Sequence, residues 1–511
     1  MFCLVLNSGI KMDYKNIKTN DLIKKLNRYS FEDKAYLCLK FSFKSFRYLQ
    51  DYYAGENGIS PPWIVDSYIT LCILSKPITS FKKDVKIDGV KDKGFIFDAL
   101  FGQMLTNRDA YKNDLSYFLN PLLIPQINYQ KNDDIILYRY NYLFSCLQNE
   151  YLKIANNVAF DNFIVLARFF STFKSRPVPS DGTLAISKEL LDLFPEIEVP
   201  LSISRDDLIS KTYELLDDFN DLSKFSYSFK FVSSYPLVVY NNKCYLLAVH
   251  NFLNAITSGF MSRITDSFKD ASKLLGIALE KYIYKIIDDS KLVDSLENDS
   301  IPYYIRKREC KKPDVSFAQN NKLVIIESKK AWSILKSTYN DIGAVEREIE
   351  KGIEACEKSL DNYIRFVNGK YTLCGKRYSE YEKVYLIICV ESENYWPRET
   401  LIKKIKLKEK YTGYQDFIDN NLIITSLYNI ESYFLLGHSI LSELERDDKG
   451  LEKNSLKKND GSNMVRGEAL QKFVSKDKER YELFKNELVR RVDDKSNLES
   501  LLFFAEDSNN K

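Results

Sequence analysis

Histidine is almost missing: His250 and His438 are the only two in 511 residues. Hydrolytic mechanisms that need several imidazole ligands are therefore excluded, and both histidines read as structural. No CxxC pair occurs, and the nine cysteines are an odd number with no secretory signal. That pattern argues for reduced thiols in a cytoplasmic protein, most of them core residues. No apolar run approaches about 18 residues, so no transmembrane helix and no membrane partner are expected. The opening MFCLVLNSGI is short and lacks a basic segment, so it does not read as a signal peptide, and Met12 is an alternative start. A strong charge imbalance is also missing. Seventy-four Lys and Arg stand against 71 Asp and Glu, a formal charge of +3, so any basic surface must be local. What is plentiful is aromatic: 35 Tyr and 32 Phe, with 45% hydrophobic and 28% charged residues. Such a composition excludes disorder throughout and leaves room for about two to four domains.

The sharpest signal lies between Lys311 and Ala331, KKPDVSFAQNNKLVIIESKKA. Val315 and Phe317 alternate with polar neighbours, Gln319 to Lys322 supplies a turn, and Leu323 to Ile326 is a continuous apolar run suited to a buried strand. The segment is expected to be a hairpin. Alternation puts Glu327 and Lys329 on one face with Leu323 and Ile325, while Val324, Ile326 and Ser328 face the other way. Asp314 follows Pro313, which suits a strand's first residue, and pairing across the turn brings Asp314 toward Glu327. Two adjacent carboxylates repel and raise each other's pKa unless a positive charge intervenes. Oxygen ligands suit Mg²⁺, with Mn²⁺ as the alternative ion. Lys329 would orient or deprotonate an attacking water and offset charge on phosphorus. That is phosphodiester hydrolysis. The comparable hairpin Tyr235 to Val249 (YPLVVYNNKCYLLAV) carries no acids, so hairpin form alone does not require them.

Pro313-Asp314, twelve residues, then Glu327-Ser328-Lys329 resembles the PD-(D/E)XK signature of restriction-endonuclease-like nucleases. Many members carry a further Glu on a preceding helix, and Leu274 to Ile287 (LLGIALEKYIYKII) has helical spacing with Glu280 on the stripe of Gly276, Ile283 and Ile287. The resemblance implies an α/β fold with a restriction-endonuclease-like core, a central mixed sheet flanked by helices. It implies Asp314, Glu327 and the Ser328 carbonyl as metal ligands, Lys329 as the water-positioning residue and Glu280 as an assisting acid. It also implies a Mg²⁺-dependent DNA endonuclease that leaves a 5′-phosphate and acts in restriction, phage defence or repair. An RNA-directed nuclease and an inactive nucleic-acid-binding or protein-interaction module are the alternatives.

Around that centre the chain divides into residues 12–150, mainly helical; 151–264, mixed α/β; 265–440, the nuclease-like part; and 441–511, a charged linker followed by amphipathic helices. Helical stretches are expected at Leu22 to Tyr29, Tyr36 to Tyr53, Ile64 to Leu74, Leu184 to Phe194 and Asn251 to Met261. Phe41 to Tyr53 interleaves Lys44 and Arg47 with aromatics, which is more often a half-buried helix face than a base-stacking surface. Pro302 to Cys310 (PYYIRKREC) is expected to supply one strand. Its Arg306, Lys307 and Arg308, with Lys311, Lys312 and Lys330, form the local basic cluster that phosphate contacts need. A long helix through Val345, Ile353 and Ile364 and buried strands at Val384 to Val390 and Leu422 to Leu427 follow. The front part and the C-terminal helices are candidate surfaces for a target, a partner protein or a second copy.

Overall fold

In a computed structural model of the chain, the described residues are 17–35, 62–76, 133–147, 185–186, 201–215, most of 235–261, 270–299, 302–305, 307–329, 342–391, 398–445 and 466–491, with isolated positions besides. They fall into two compact units, one of residues 1–118, 173–255 and 496–511, the other of 119–172 and 256–495. The units cut across the sequence boundaries at 150 and 264, because residues 119–172 group with residues 256–495.

The first unit contains helices Thr19–Leu26, Pro62–Leu74 and Arg205–Leu215 and a four-stranded sheet. Proline at the first helical position of Pro62–Leu74 has no amide to leave unsatisfied. The expected charge-free hairpin is present as Leu237–Tyr240 paired antiparallel with Lys243–Leu246. The helix expected at Leu184 to Phe194 is not formed at its start: Ala185 and Ile186 pair as a strand with Tyr245 and Cys244. Tyr36 to Tyr53 lies outside the described residues apart from Cys38.

The second unit is α/β, with a mixed sheet flanked by helices. Its elements are α1 (Asp133–Cys146), α2 (Ala271–Ser290), β1 (Ser295–Asn298), β2 (Tyr303–Ile305), β3 (Arg308–Cys310), β4 (Val315–Gln319), β5 (Lys322–Lys329), α3 (Ile342–Val367), β6 (Lys383–Val390), α4 (Arg398–Lys406), α5 (Gln415–Asn420), β7 (Leu422–Ser426), α6 (Leu427–Phe434), α7 (Leu441–Leu444) and α8 (Glu468–Arg491). The five-stranded sheet runs β7-β6-β5-β4-β1. β6 is parallel to β5 and β7, while β4 is antiparallel to β5 and β1. β6 is buried from Val384 to Val390, which explains its uninterrupted apolar run between two parallel neighbours.

The β4–β5 hairpin matches the expected one, with Val315 opposite Ile326. Asn320 and Asn321 form the turn with φ of 50° and 58°, the left-handed region that Asn tolerates and that two-residue hairpin loops demand. α2 buries Leu275, Leu279, Tyr282, Ile283 and Ile286, the stripe its spacing predicts. Pro302 to Cys310 departs from expectation. Instead of one strand it makes a separate two-stranded ribbon, β2 against β3, turning at Lys307 with φ of 69°. β1 takes the sheet position beside β4.

α1 crosses near the C-terminal ends of β5 and β6. Arg139 of α1 is fully buried and forms a two-point ion pair with Glu431 of α6: Nε donates to Oε1 at 2.7 Å and an Nη to Oε2. Tyr282 of α2 donates its hydroxyl to the same Oε1 at 2.8 Å. Nη1 of Arg139 reaches the Glu391 carbonyl at 3.4 Å, and the Glu391 amide donates to the Lys329 carbonyl at 2.9 Å. One buried guanidinium thus connects α1, α2, α6 and the end of the strand that carries Lys329. Among the described residues no helix is long and apolar enough to cross a membrane, and the eight described cysteines form no disulfide with one another.

Candidate active site

The ends of β1 and β5 and the start of β4 meet at one end of the sheet, against the middle of α2. Asn298 of β1 is opposite Val315 of β4, and Val315 is opposite Ile326 of β5. One step further, Asp299, Asp314 and Glu327 come into line as the chain leaves the sheet. α2 packs over β1, β4 and β5 and contributes Glu280. The structure therefore gathers Glu280, Asp314, Glu327 and Lys329, as expected, and adds Asp299, which no motif announces.

These acids divide into two groups. Asp314 turns toward Ser328: its Oδ2 accepts from the Ser328 amide at 2.7 Å and from the Ser328 hydroxyl at 2.8 Å. Its carboxylate, with those of Glu280 and Asp299, forms a half-buried cluster whose oxygens lie within 4.8 Å of one another. Glu327 is not a member of that cluster. It is buried, and its Oε2 accepts from the Lys329 ammonium at 3.1 Å while Oε1 accepts from the Asn362 side chain of α3 at 3.3 Å. The expected Asp314/Glu327 pair is thus replaced by two neighbouring sets, Glu280/Asp299/Asp314 and Glu327/Lys329/Asn362. Ser328 enters through its amide and hydroxyl, as the anchor of Asp314.

The electrostatics follow from the burial. Glu280 is pushed up to about 7, first by burial and then by repulsion from Asp314 and Asp299, against a weaker pull from Lys311 and Lys329. Burial and the Asp314 charge raise Glu327 as well, opposed by Lys329. For Lys329 burial disfavours the ammonium, but attraction to Glu327, Asp314 and Glu280 outweighs it and holds the group above its ordinary value. Lys329 is therefore a cation at neutral pH. Such a group can offer orientation and charge, not a base.

The cluster fits a hard divalent cation. Three carboxylates supply oxygen donors of the type Mg²⁺ and Mn²⁺ prefer, and oxygens on opposite sides of one Mg²⁺ stand about 4.2 Å apart, a few tenths of an ångström closer than the limit seen here. Mutual repulsion at the site is relieved by such an ion.

The expected phosphate-contacting cations separate. Lys307 is exposed at the ribbon turn. Lys311 is exposed and its ammonium lies 3.0 Å from Asp299, which keeps it at the cluster. Lys312 does not face a phosphate path, because its mostly buried ammonium is held by Glu297. Arg308 lies in β3, and Arg306 and Lys330 lie outside the described residues. His438 serves the chain through its amide, which donates to the Tyr433 carbonyl at 2.9 Å past the end of α6. Asn362 went unnoticed because a polar residue on a long amphipathic helix carries no signal until the helix face is known. No family model matches the chain, and neither a curated protein nor a solved structure matches it.

Proposed function

We propose that the protein is a metal-dependent nuclease of the PD-(D/E)XK type, with a restriction-endonuclease-like core, that hydrolyses phosphodiester bonds in DNA. The observation that carries this reading is the convergence of Asp314, Glu280 and Asp299 within reach of one ion, beside a buried Glu327–Lys329 pair, at the open end of a β-hairpin. Asp314, Glu280 and Asp299 would hold Mg²⁺ or Mn²⁺. When bound, the ion supplies Lewis-acid polarisation of the phosphate and a more acidic water.

The chain's own groups supply the rest. Ser328 fixes Asp314 through two hydrogen bonds to one oxygen, so that carboxylate is preorganised. The Lys329 ammonium donates to the attacking water and offsets negative charge as it develops on the phosphoryl oxygens. Glu327 Oε2, 3.1 Å from that ammonium, can take the proton that water gives up, and Asn362 holds the opposite oxygen in place.

The test is cleavage of linear, circular and single-stranded DNA, and of RNA, by purified protein with Mg²⁺, Mn²⁺ or EDTA. Metal-dependent cutting that disappears in Lys329→Ala, with folding and binding retained, supports the proposal, and cutting of the circular substrate establishes endonuclease action. A fully active Lys329→Ala variant removes the assignment. A folded protein that binds DNA but cuts nothing transfers it to the inactive binding module.

A further inference from the structure

The β2–β3 ribbon leaves the chain between two members of the acidic cluster, Asp299 and Asp314, and it belongs to neither sheet around it. A two-stranded ribbon is marginal alone, so something must fasten it. The fastening is on one face: Tyr303 is buried, stacks on Tyr371 with centroids 4.4 Å apart, and donates its hydroxyl to Asn362 Oδ1 at 3.4 Å. Asn362 is the residue that also holds Glu327. At the root, the Lys311–Asp299 ion pair joins the end of β3 to the cluster.

The other face is different. Alternation sends Tyr304 and its cross-strand partner Glu309 outward, and Tyr304 is 65% exposed. The turn beyond it presents Lys307, exposed and in the left-handed region, in a segment that reads Arg306-Lys307-Arg308. An aromatic ring in water, opposite Glu309 and on the strand that runs into the Lys307 turn, on an arm rooted at the proposed phosphate-cleaving site, matches the chemistry of single-strand binders, which combine positive charge for the backbone with rings on which bases stack. Duplex bases are already stacked on one another and offer no free face. Three residues per strand make the ribbon about 10 Å long, or about three nucleotides at 3.4 Å each.

We infer that the β2–β3 ribbon is a nucleic-acid-engaging arm on which Tyr304 stacks an unpaired base within about three nucleotides of the scissile phosphate. The substrate class is then nucleic acid with unpaired nucleotides at the cut, such as a single strand, a flap or a frayed end. The inference rests on the nuclease reading of the adjacent site and narrows it.

The test uses the full chain in EDTA, where no cutting interferes, and follows fluorescence anisotropy of labelled DNA single strand, RNA single strand and blunt DNA duplex, each of about 20 nucleotides. Tyr304→Ala is expected to weaken single-strand binding about tenfold, within the range for loss of one base–aromatic stack, with an unchanged salt slope. Tyr304→Phe keeps the ring and stays within about twofold. Lys307→Ala lowers the salt slope by about 0.7 for a single strand. The DNA and RNA arms separate the two sources of an unpaired base. Tyr304→Ala binding as tightly as the wild type, Phe losing as much as Ala, or tighter binding to blunt duplex than to either strand overturns the inference. A wild-type chain that cuts but ignores Tyr304 sinks the arm and leaves the nuclease. A chain that binds through Tyr304 but cuts under no metal sinks the nuclease and leaves the arm.

Discussion

Arg139 and Glu431 are both fully buried, so removing one partner exposes the cost that the pair conceals. For Arg139, burial opposes the charge and Glu431 more than restores it. Among the described residues, Arg139→Met leaves the Glu431 carboxylate with the Tyr282 hydroxyl as its remaining side-chain donor, at 2.8 Å. One neutral donor does not replace a two-point guanidinium contact. Breaking a buried pair from one side costs about 3–5 kcal/mol. The protein has two units, so a single melting curve does not isolate the loss. Hydrogen exchange of amides in β5 and β6 does, because these central strands exchange through global opening of their own unit. At about 1.4 kcal/mol per factor of ten, their exchange should accelerate about a hundred- to several-thousand-fold. A triple variant, Arg139→Met with Glu431→Met and Tyr282→Phe, removes charge and unmatched hydroxyl together and should recover most of the loss, since apolar replacements of buried pairs are often neutral. A single variant within about 1 kcal/mol of wild type, or a triple variant as damaged as the single, refutes the reasoning.

Asp299→Asn removes one charged ligand from the acidic cluster, and Mn²⁺ affinity, read by calorimetry, should fall about tenfold or more while the Tyr304-dependent binding of single strands persists; unchanged affinity excludes Asp299 as a ligand. Lys34 is buried against the Ser75 hydroxyl at 2.6 Å and the Lys76 carbonyl at 3.2 Å, and burial lowers it from 10.5 to about 8. Between those values the unfolded chain binds the proton and the folded chain does not, so stability present above the unfolded value is lost as pH falls to the folded one. The stability gained by Lys34→Met should therefore be larger at pH 8 than at pH 9.5 by about 2 kcal/mol, and parallel wild-type and variant profiles would contradict it. A Cβ on Gly467 would meet the Leu435 carbonyl oxygen at 2.9 Å, where the Gly467 amide already donates at 2.7 Å. Gly467→Ala should cost about 1–3 kcal/mol and loosen α8, seen as faster exchange in residues 468–480; protection equal to wild type would show that the backbone yields freely.

Legibility divided along the line between local and non-local cause. The β4–β5 turn announced itself in Asn320-Asn321, and α2, α3, β5, β6 and β7 in their apolar periods, because those signals need no partner. The ribbon was hidden because its turn uses Lys307 at φ of 69°, where no Gly or Asn marks it. Ala185-Ile186 lies in a stretch of helical spacing, and pairing with Cys244 and Tyr245 overrides it. Asp299 follows β1, whose Ser-Leu-Glu-Asn sequence does not look like a strand, so its alignment with Asp314 requires the sheet to be known. Arg139 meets Glu431 across 292 positions, and nothing local to either names the other.

The same distinction explains why the acids regrouped. Alternation puts Glu327 and Lys329 on one face, and that step of the sequence reading fixed a neighbourhood without fixing partners. Two carboxylates brought opposite each other across a hairpin have two ways to relieve repulsion: share a cation, or find separate donors. Here each found its own. Asp314 took the Ser328 amide and hydroxyl, and Glu327 took Lys329 and Asn362. Those donors settle the hairpin but leave Glu280 and Asp299 beside Asp314, where burial and like charge push Glu280 up to about 7. Glu327 still feels the Asp314 charge, but three carboxylates converge one step away from the motif, on the α2 and β1 side, where a divalent cation would relieve their repulsion without breaking the Glu327–Lys329 pair. If the ion instead replaced Lys329 on Glu327, metal affinity would drop in Glu327→Gln as much as in Asp299→Asn; a drop confined to Asp299→Asn separates the two arrangements.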